Sequence, residues 1–368
     1  MQKIVIDARM INNSGIGTYL QNIIPNLIKN YELILLCGEK EIAGFPWTNK
    51  VNVISFNNPI YSIAEQILSP IKIPECDIFI SPHYNIPILP IRAKKRLVII
   101  HDVYHLAFSD QLSLAQKIYS KIMIYFAVHS SDQIITSSQF SKSEILKYTS
   151  ANEAKINVVY FGFNYNEYSN QAHNFEPVRR RYNLQEKFFL FVGNVKPHKN
   201  LSNLILAFKI ILDKKMKLKL IIVGEYKKLI NADNESFRLL SEDPLLKANT
   251  IFTGFIDKEE LVLLYKNASA LVFPSLYEGF GIPPVEAMAC GCPVISSNAA
   301  SLPEACGYGA IYINPNNVDD IAEKMIAIIS DSDLVRLLIE KGKENIKRFS
   351  FEMFSNNFDK VLRLLLKN

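Results

Sequence analysis

Ala270-Leu-Val-Phe-Pro-Ser-Leu-Tyr-Glu278-Gly-Phe-Gly-Ile-Pro-Pro-Val-Glu286-Ala-Met-Ala289 reads as a strand, a turn and a helix in succession. Its apolar start lacks polar alternation, as expected of a parallel strand covered on both faces. Gly279 and Gly281 free the backbone to approach a ligand closely, and the proline pair starts a helix where a missing N–H loses no hydrogen bond. A glycine turn feeding a helix N-terminus presents unpaired N–H groups and partial positive charge, which suits phosphate or sugar oxygens. Glu286, expected in the first helical turn, is placed to accept two hydrogen bonds from a ribose diol, the task of the acidic residue in dinucleotide folds. Capping of the helix by Glu286 and simple solvation of Glu278 are the plainer roles. The Gly-Phe-Gly and Pro-Pro between the two acids favour ligand binding.

The same strand–helix rhythm extends in both directions. Strands are expected at Lys3–Ala8, Leu33–Cys37, Val51–Phe56, Asp77–Ser81, Leu97–Asp102, Gln133–Ser137 and Ile156–Phe161, with helices near Gly17–Lys29, Leu112–Ser130 and Ser141–Tyr148. A polar stretch, Asn164–Glu186, breaks the pattern and reads as a linker. Strands resume at Phe188–Gly193, Leu218–Gly224, Thr250–Phe255, Ala270–Ser275, Pro293–Ser297 and Ala310–Ile313, and the chain finishes in helices. The expectation is an α/β protein of two doubly wound domains facing a cleft: residues 1–170, residues 185–350, and a final helix, 351–368, returning toward the first domain.

A length of 368 residues suits two domains, and a 49% hydrophobic fraction suits two sizeable cores. No apolar run reaches the roughly 18 to 20 residues of a membrane-spanning helix. The opening Met1-Gln-Lys-Ile-Val-Ile enters a strand without a leader pattern, so the expected location is cytoplasmic. Five cysteines, with Cys290-Gly-Cys292 at the wrong spacing for a metal knuckle, read as reduced thiols. The net charge of +5 is mild. The basic clusters Arg92–Arg96 and Lys214–Lys219 are expected in solvated loops ahead of strands, and they lack the interleaved aromatics of a nucleic-acid surface.

Three further strand ends carry chemistry. Val192-Gly-Asn-Val-Lys196-Pro-His-Lys199-Asn200 places a glycine and bases at a helix start, which suits a diphosphate with Lys199 as point charge. His101, in Leu97-Val-Ile-Ile-His101-Asp102, ends a buried strand, where ligands of such sheets sit; its roles are a bond to a sugar hydroxyl or to a leaving phosphate, against that of a structural histidine. Asp7-Ala-Arg9 precedes Ser14-Gly15-Ile-Gly17-Thr-Tyr19, read as a flexible glycine loop leading into a helix. It lacks the last glycine of a nicotinamide fingerprint.

Taken together these residues resemble glycosyltransferase family four, the group one glycosyltransferases. The likeness rests on Glu278 through Val294, Ser14–Tyr19, Ile100-His-Asp, Gln133–Ser141, Val192–Asn200, Thr253-Gly-Phe-Ile and Ser301-Leu-Pro-Glu304, in that family's order. The resemblance implies the GT-B architecture of two Rossmann-like domains. It implies that Lys199 binds the donor diphosphate, Glu286 the ribose and Glu278 the transferred sugar. The Gly279–Phe280–Gly281 backbone would meet hydroxyls or phosphate, Gly15 and Gly17 would close over the diphosphate, and His101 would stabilise the reacting sugar and the leaving group. Where many relatives have an arginine after the glycine of the diphosphate strand this chain has Asn194, so Lys196 or His198 is left to supply a second cation. Ala305-Cys-Gly-Tyr-Gly-Ala310 departs from the family's pattern after Glu304, whose role stays open between ligand and cap.

No Asp-x-Asp stands at a strand end, and Asp331-Ser-Asp333 falls between helices, where N-capping fits. The expected chemistry is therefore metal-independent and cofactor-free, with the departing charge met by Lys199 and backbone N–H groups. Two acids on one loop do not flank a bond from opposite faces as glycosidase carboxylates do. The family implies hexose transfer with retention through an oxocarbenium-like transition state. Resemblance to bacterial mannosyltransferases of surface polysaccharide favours GDP-mannose as donor and a saccharide or lipid-linked saccharide as acceptor, with peripheral contact at the cytoplasmic membrane face. A nucleotide-sugar epimerase or phosphorylase on the same plan, and a catalytically silent binding subunit, remain as alternatives.

Overall fold

The computed structural model describes residues 1–165, 168, 174–224 and 234–367. The chain divides into two compact units, Met1–Gly162 with Phe351–Asn368, and Phe163–Ser350.

The first unit is built on seven strands: β1 (Lys3–Asp7), β2 (Glu32–Cys37), β3 (Asn52–Ser55), β4 (Cys76–Ser81), β5 (Ala93–Ile99), β6 (Gln133–Thr136) and β7 (Ile156–Val158). They pair in the order β3-β2-β1-β4-β5-β6-β7, and every pairing is parallel. Order reverses between β1 and β4, so the crevice beyond their carboxyl ends is the place for a ligand. Helix α1 (Ser14–Leu27) follows β1, α2 (Ile63–Lys72) follows β3, α3 (Leu114–Ser130) precedes β6, and α4 (Gln139–Tyr148) follows it. One side of the sheet buries Val5, Leu36 and Phe79 with Ile73, and another part packs Val98, Ile100 and Ile134 on Met123, Ile124 and Ala127 of α3. The terminal helix Phe351–Lys367 belongs to this unit. Fully buried Tyr19 of α1 meets Phe354 edge-on at 5.5 Å, and the Tyr31 hydroxyl donates to Asp359 Oδ1 at 2.8 Å.

The second unit has six strands, β8 (Lys187–Val192), β9 (Leu218–Val223), β10 (Thr250–Phe252), β11 (Ala270–Phe273), β12 (Val294–Ser297) and β13 (Ala310–Ile313). Their order is β10-β9-β8-β11-β12-β13, again all parallel, which puts the reversal between β8 and β11. Helices α5 (Leu201–Asp213) and α6 (Ile282–Ala289) follow those two strands. Leu204, Ile205, Phe208 and Ile211 of α5 bury themselves on Phe189, Phe191, Leu220 and Ile222. Helix α7 (Val318–Ser330) adds Ile321, Ala322, Met325 and Ile328 to that core.

Several boundaries differ from the sequence expectation. The basic cluster Arg92–Arg96 is not a loop: β5 begins at Ala93, because Ala93 to Arg96 pair with Cys76 to Phe79 of β4 and the Arg96 N–H donates to Asp132 Oδ2 at 2.8 Å. Within the stretch read as a linker, Glu176–Arg181 forms a helix in the second unit, while 166–167 and 169–173 lie outside the described residues. Asp331 caps the helix Ser332–Asn345, its side chain accepting from the backbone N–H groups of Asp333 and Leu334. All five thiols are free.

Candidate active site

The loops after β8 and β11 meet at the switch point of the second sheet. A short turn, Pro197–Lys199, ends at Asn200, whose left-handed backbone (φ 57°) starts α5. The buried Asn200 amide donates to the carbonyls of Pro274, at 3.1 Å, and of Pro315, at 2.6 Å. The Leu276 N–H donates to the His198 carbonyl at 2.8 Å. These bonds tie the two loops together and bring Lys199 Nζ to 2.6 Å from Glu278 Oε1. The Lys199 ammonium also lies 5.4 Å from the Phe273 ring centre. The Lys196 side chain is exposed, with no hydrogen bond or ion pair among the described residues; His198 is buried.

The Glu278 loop is held from behind. The Ser301 hydroxyl, fully buried, donates to the Glu278 and Phe280 carbonyls at 2.8 and 2.9 Å. Phe280 is buried edge-on against Phe349, 5.2 Å between ring centres, so what its position offers a ligand is backbone rather than ring. Gly281 has φ 111°, and a Cβ there would lie 2.8 Å from Leu302 Cδ2, so only glycine fits the turn into α6. That helix opens at Ile282, ahead of the proline pair. Glu286 therefore falls in its second turn, not the first, and helix capping is excluded. Its two oxygens accept from the Tyr168 and Tyr265 hydroxyls at 3.0 and 3.3 Å. Burial raises the Glu286 carboxyl above its ordinary range, against the opposing pull of those phenols and of Lys258. Glu304 lies partly buried in the short helix Leu302–Cys306.

In the first unit, Gly15 and Gly17 are not in a loop. Helix α1 begins at Ser14, and both glycines sit in its first turn. A Cβ on Gly17 would come within 2.5 Å of the Ile11 carbonyl oxygen, which explains that glycine by close packing on the preceding turn; Gly15 faces open space.

His101 follows β5 and is largely buried, its carbonyl accepting from the Ser141 hydroxyl at 2.9 Å. Burial lowers its pKa, opposed by Asp102 and by a hydrogen bond to the Pro82 backbone, so the ring is neutral at neutral pH. Nε2 is buried without a hydrogen-bond partner. The Tyr19 ring stands edge-on to it at 5.1 Å, with its own hydroxyl also buried and unpartnered.

A second cluster, absent from the sequence reading beyond the mention of Asp7-Ala-Arg9, lies where β1 and β4 diverge. Arg9 pairs with Asp7, Nε to Oδ1 at 2.8 Å, and with Glu65, which is 2% exposed. Glu65 Oε2 also accepts from the Asn85 amide at 2.9 Å and the Tyr61 N–H at 2.8 Å, while the Tyr119 hydroxyl donates to Asn85. Burial, then His101 and His105, push the neighbouring His83 down to about 3. Among the described residues no three His, Cys, Asp or Glu side chains gather where they could hold a metal ion.

Comparison with known proteins places this arrangement. The family described as glycosyl transferases group 1 matches residues 174–345. The chain is 30% identical to the O-antigen chain mannosyltransferase RfbU of Salmonella typhimurium strain LT2 over 83% of its length and 76% of that protein. It is 33% identical to the serotype-specific mannosyltransferase WbdA of Escherichia coli over 60% of this chain, but spans only 27% of that relative. The fold matches the crystal structure of Anabaena Alr3699/HepE in complex with UDP and glucose at a TM-score of 0.79, covering 99% of this chain and 100% of that one at 17% identity. Two all-parallel Rossmann-like sheets with this likeness make the architecture GT-B. By this family match and by a relative 30% identical over three quarters of its own length, the chain belongs to the group 1 glycosyltransferases and is a glycosyltransferase enzyme.

Proposed function

We propose that this glycosyltransferase moves mannose from GDP-mannose to a saccharide or lipid-linked saccharide in bacterial surface polysaccharide synthesis, retaining the anomeric configuration and needing neither metal nor cofactor. The observation that carries the donor reading is the Lys199–Glu278 pair at the β8/β11 switch point. Lys199 is a point charge for the donor diphosphate, joined by exposed Lys196, and the backbone at Gly279, Phe280 and Gly281 supplies further polar contacts. Glu278 takes hydroxyls of the transferred sugar. Glu286, though bonded by two tyrosines, keeps lone pairs on both oxygens for a ribose diol.

His101 is read here as a hydrogen-bonding group for a hydroxyl of the reacting sugar; its ring, neutral because burial lowers its pKa, has no positive charge to lend the leaving group. The charge that develops on the diphosphate then falls to the lysines and the N–H groups. Gly15 and Gly17, in the first turn of α1, contribute at most a helix N-terminus to the diphosphate. The mannose preference is supported by relatives that are mannosyltransferases. The proposed place of action is the cytoplasmic face of the membrane, with the acceptor's lipid held in it.

The test is turnover of GDP-mannose with a saccharide acceptor, read by NMR of the product linkage. A mannoside with the donor's own anomeric configuration is the expected product. An inverted anomer overturns retention, and consumption of donor without any glycoside formed overturns transfer in favour of epimerase or phosphorylase chemistry.

A further inference from the structure

Glu286 is held by two phenols from different parts of the second unit. The Tyr168 hydroxyl donates to Oε1 at 3.0 Å and the Tyr265 hydroxyl to Oε2 at 3.3 Å. The two tyrosines are not alike. Tyr168 is 5% exposed, and the Lys258 ammonium lies 4.6 Å from its ring centre. Tyr265 is fully buried, and Glu286 is the one hydrogen-bond partner of its hydroxyl among the described residues. Glu286 itself is partly exposed. A ligand at this site meets the glutamate, and Tyr265 only through it.

The place of Tyr265 follows from its helix. Asp257 caps Lys258–Asn267, accepting from the Glu260 N–H at 2.8 Å, and Val262, Leu263, Leu264 and Tyr265 are the buried residues of that helix. A ring drawn into the core takes its hydroxyl with it, and a buried hydroxyl needs a partner. Phenylalanine fills nearly the same space without that demand, so packing alone does not account for a tyrosine here.

Each oxygen of a carboxylate has two lone pairs. One phenol on each oxygen leaves one lone pair on each, which matches the two hydroxyls of a ribose diol. Fixing both oxygens also fixes the plane of the carboxylate, so the fork is in place before the nucleotide arrives. Burial keeps the Tyr265 phenol protonated, since it raises that group's pKa well above the ordinary value. The groups facing Glu286 are Tyr168, Tyr265, Lys258 and the Cys290 thiol. The first three favour the carboxylate over the acid, and burial pushes the thiol up to about 12, which leaves it uncharged.

We infer that Tyr265 is a positioning residue for donor binding, its buried hydroxyl orienting the Glu286 carboxylate so that both oxygens take the ribose diol. This rests on the reading that Glu286 binds the ribose, and names the group that sets it in place.

The experiment compares GDP with dideoxy-GDP, which lacks both hydroxyls of the diol. Both are titrated calorimetrically across pH into the native chain, Tyr265→Phe, Glu286→Gln and the double variant. The native chain should prefer GDP by about tenfold or more, the scale of hydrogen bonds to a charged group. In Tyr265→Phe that preference should shrink about threefold or more, with dideoxy-GDP bound as before. The rise of GDP affinity with pH should also move to higher pH, because one donor that favours the carboxylate is gone. The double variant should show the same preference as Glu286→Gln alone. Thermal unfolding shows which variants are folded, and the glutamine background supplies a second comparison without the buried charge. A Tyr265→Phe protein that keeps the native preference and pH profile overturns the inference and leaves the ribose reading standing. So does an equal fall for both nucleotides, the mark of a merely structural role, or a double variant with less preference than Glu286→Gln. A native chain that binds both nucleotides equally overturns the ribose reading itself, and the inference with it.

Discussion

Lys199 Nζ lies 2.6 Å from Glu278 Oε1, with the two side chains 15% and 14% exposed. The cation assigned to the diphosphate is thus held by the anion assigned to the sugar. Neither charge is fully solvated, so each sets the cost of removing the other. The loops that carry them are joined through Asn200 and Leu276, not through the pair alone.

Glu278→Gln tests the division of labour. The amide oxygen still accepts from Lys199, and the lysine loses its competing anion, so GDP should bind as well as before or better. Transfer should fall by about a hundredfold or more, the scale of losing one group aimed at a transition state. Titration of GDP alongside initial rates separates the two; an undiminished rate rules Glu278 out of the sugar contact.

Ser301→Ala removes both hydrogen bonds to the Glu278 and Phe280 carbonyls and leaves those carbonyls buried. A loss of about 1–3 kcal/mol in urea unfolding is expected, together with a raised donor KM. Unchanged stability with unchanged KM would show that the loop holds its shape without this anchor.

Glu286 sets a pH dependence of two opposite signs. Its folded pKa is raised by burial, so the folded state holds its proton to higher pH than the unfolded chain. Its contribution to stability is fully present below the ordinary glutamate range and is lost as pH rises through the raised value, at about 1.4 kcal/mol for each unit of displacement. Glu286→Gln should flatten that decline. Affinity for GDP should instead rise across the same interval in the native chain, because the carboxylate is the better acceptor for the ribose diol. Denaturant midpoints and GDP titrations across that interval check both; parallel curves for the native chain and the variant contradict it.

Arg9→Ala leaves Asp7 and Glu65 without their shared guanidinium. About 3–5 kcal/mol of stability should go with it. Thermal unfolding measures this, and a loss below about 1 kcal/mol would place the pair in the weak class of surface ion pairs.

Each strand was legible where it holds a short apolar run, which left out the charged first half of β5, Ala93–Arg96, and the donor loop was legible because glycine, proline and glutamate there have few other uses. Helix α2 was not, since its isoleucines face outward and Pro70 interrupts it, which defeats a search for a core-facing stripe. Gly17 misled for a related reason: the close approach of the Ile11 carbonyl demands glycine inside a helix as strongly as a flexible loop would. Ser301 stood inside a quoted motif, but only the fold shows its hydroxyl reaching back to the Glu278 loop. Glu65 could not have been joined to Arg9 without the β1/β4 crossing, because nothing in the intervening residues signals the contact.

The most direct test of the donor site is calorimetric titration of GDP into the native chain and into Lys199→Ala. The prediction is GDP binding that weakens by about a hundredfold on losing one charge-assisted contact and its partner's compensation. Equal affinity in both proteins would contradict the assignment of the diphosphate to the β8/β11 switch point.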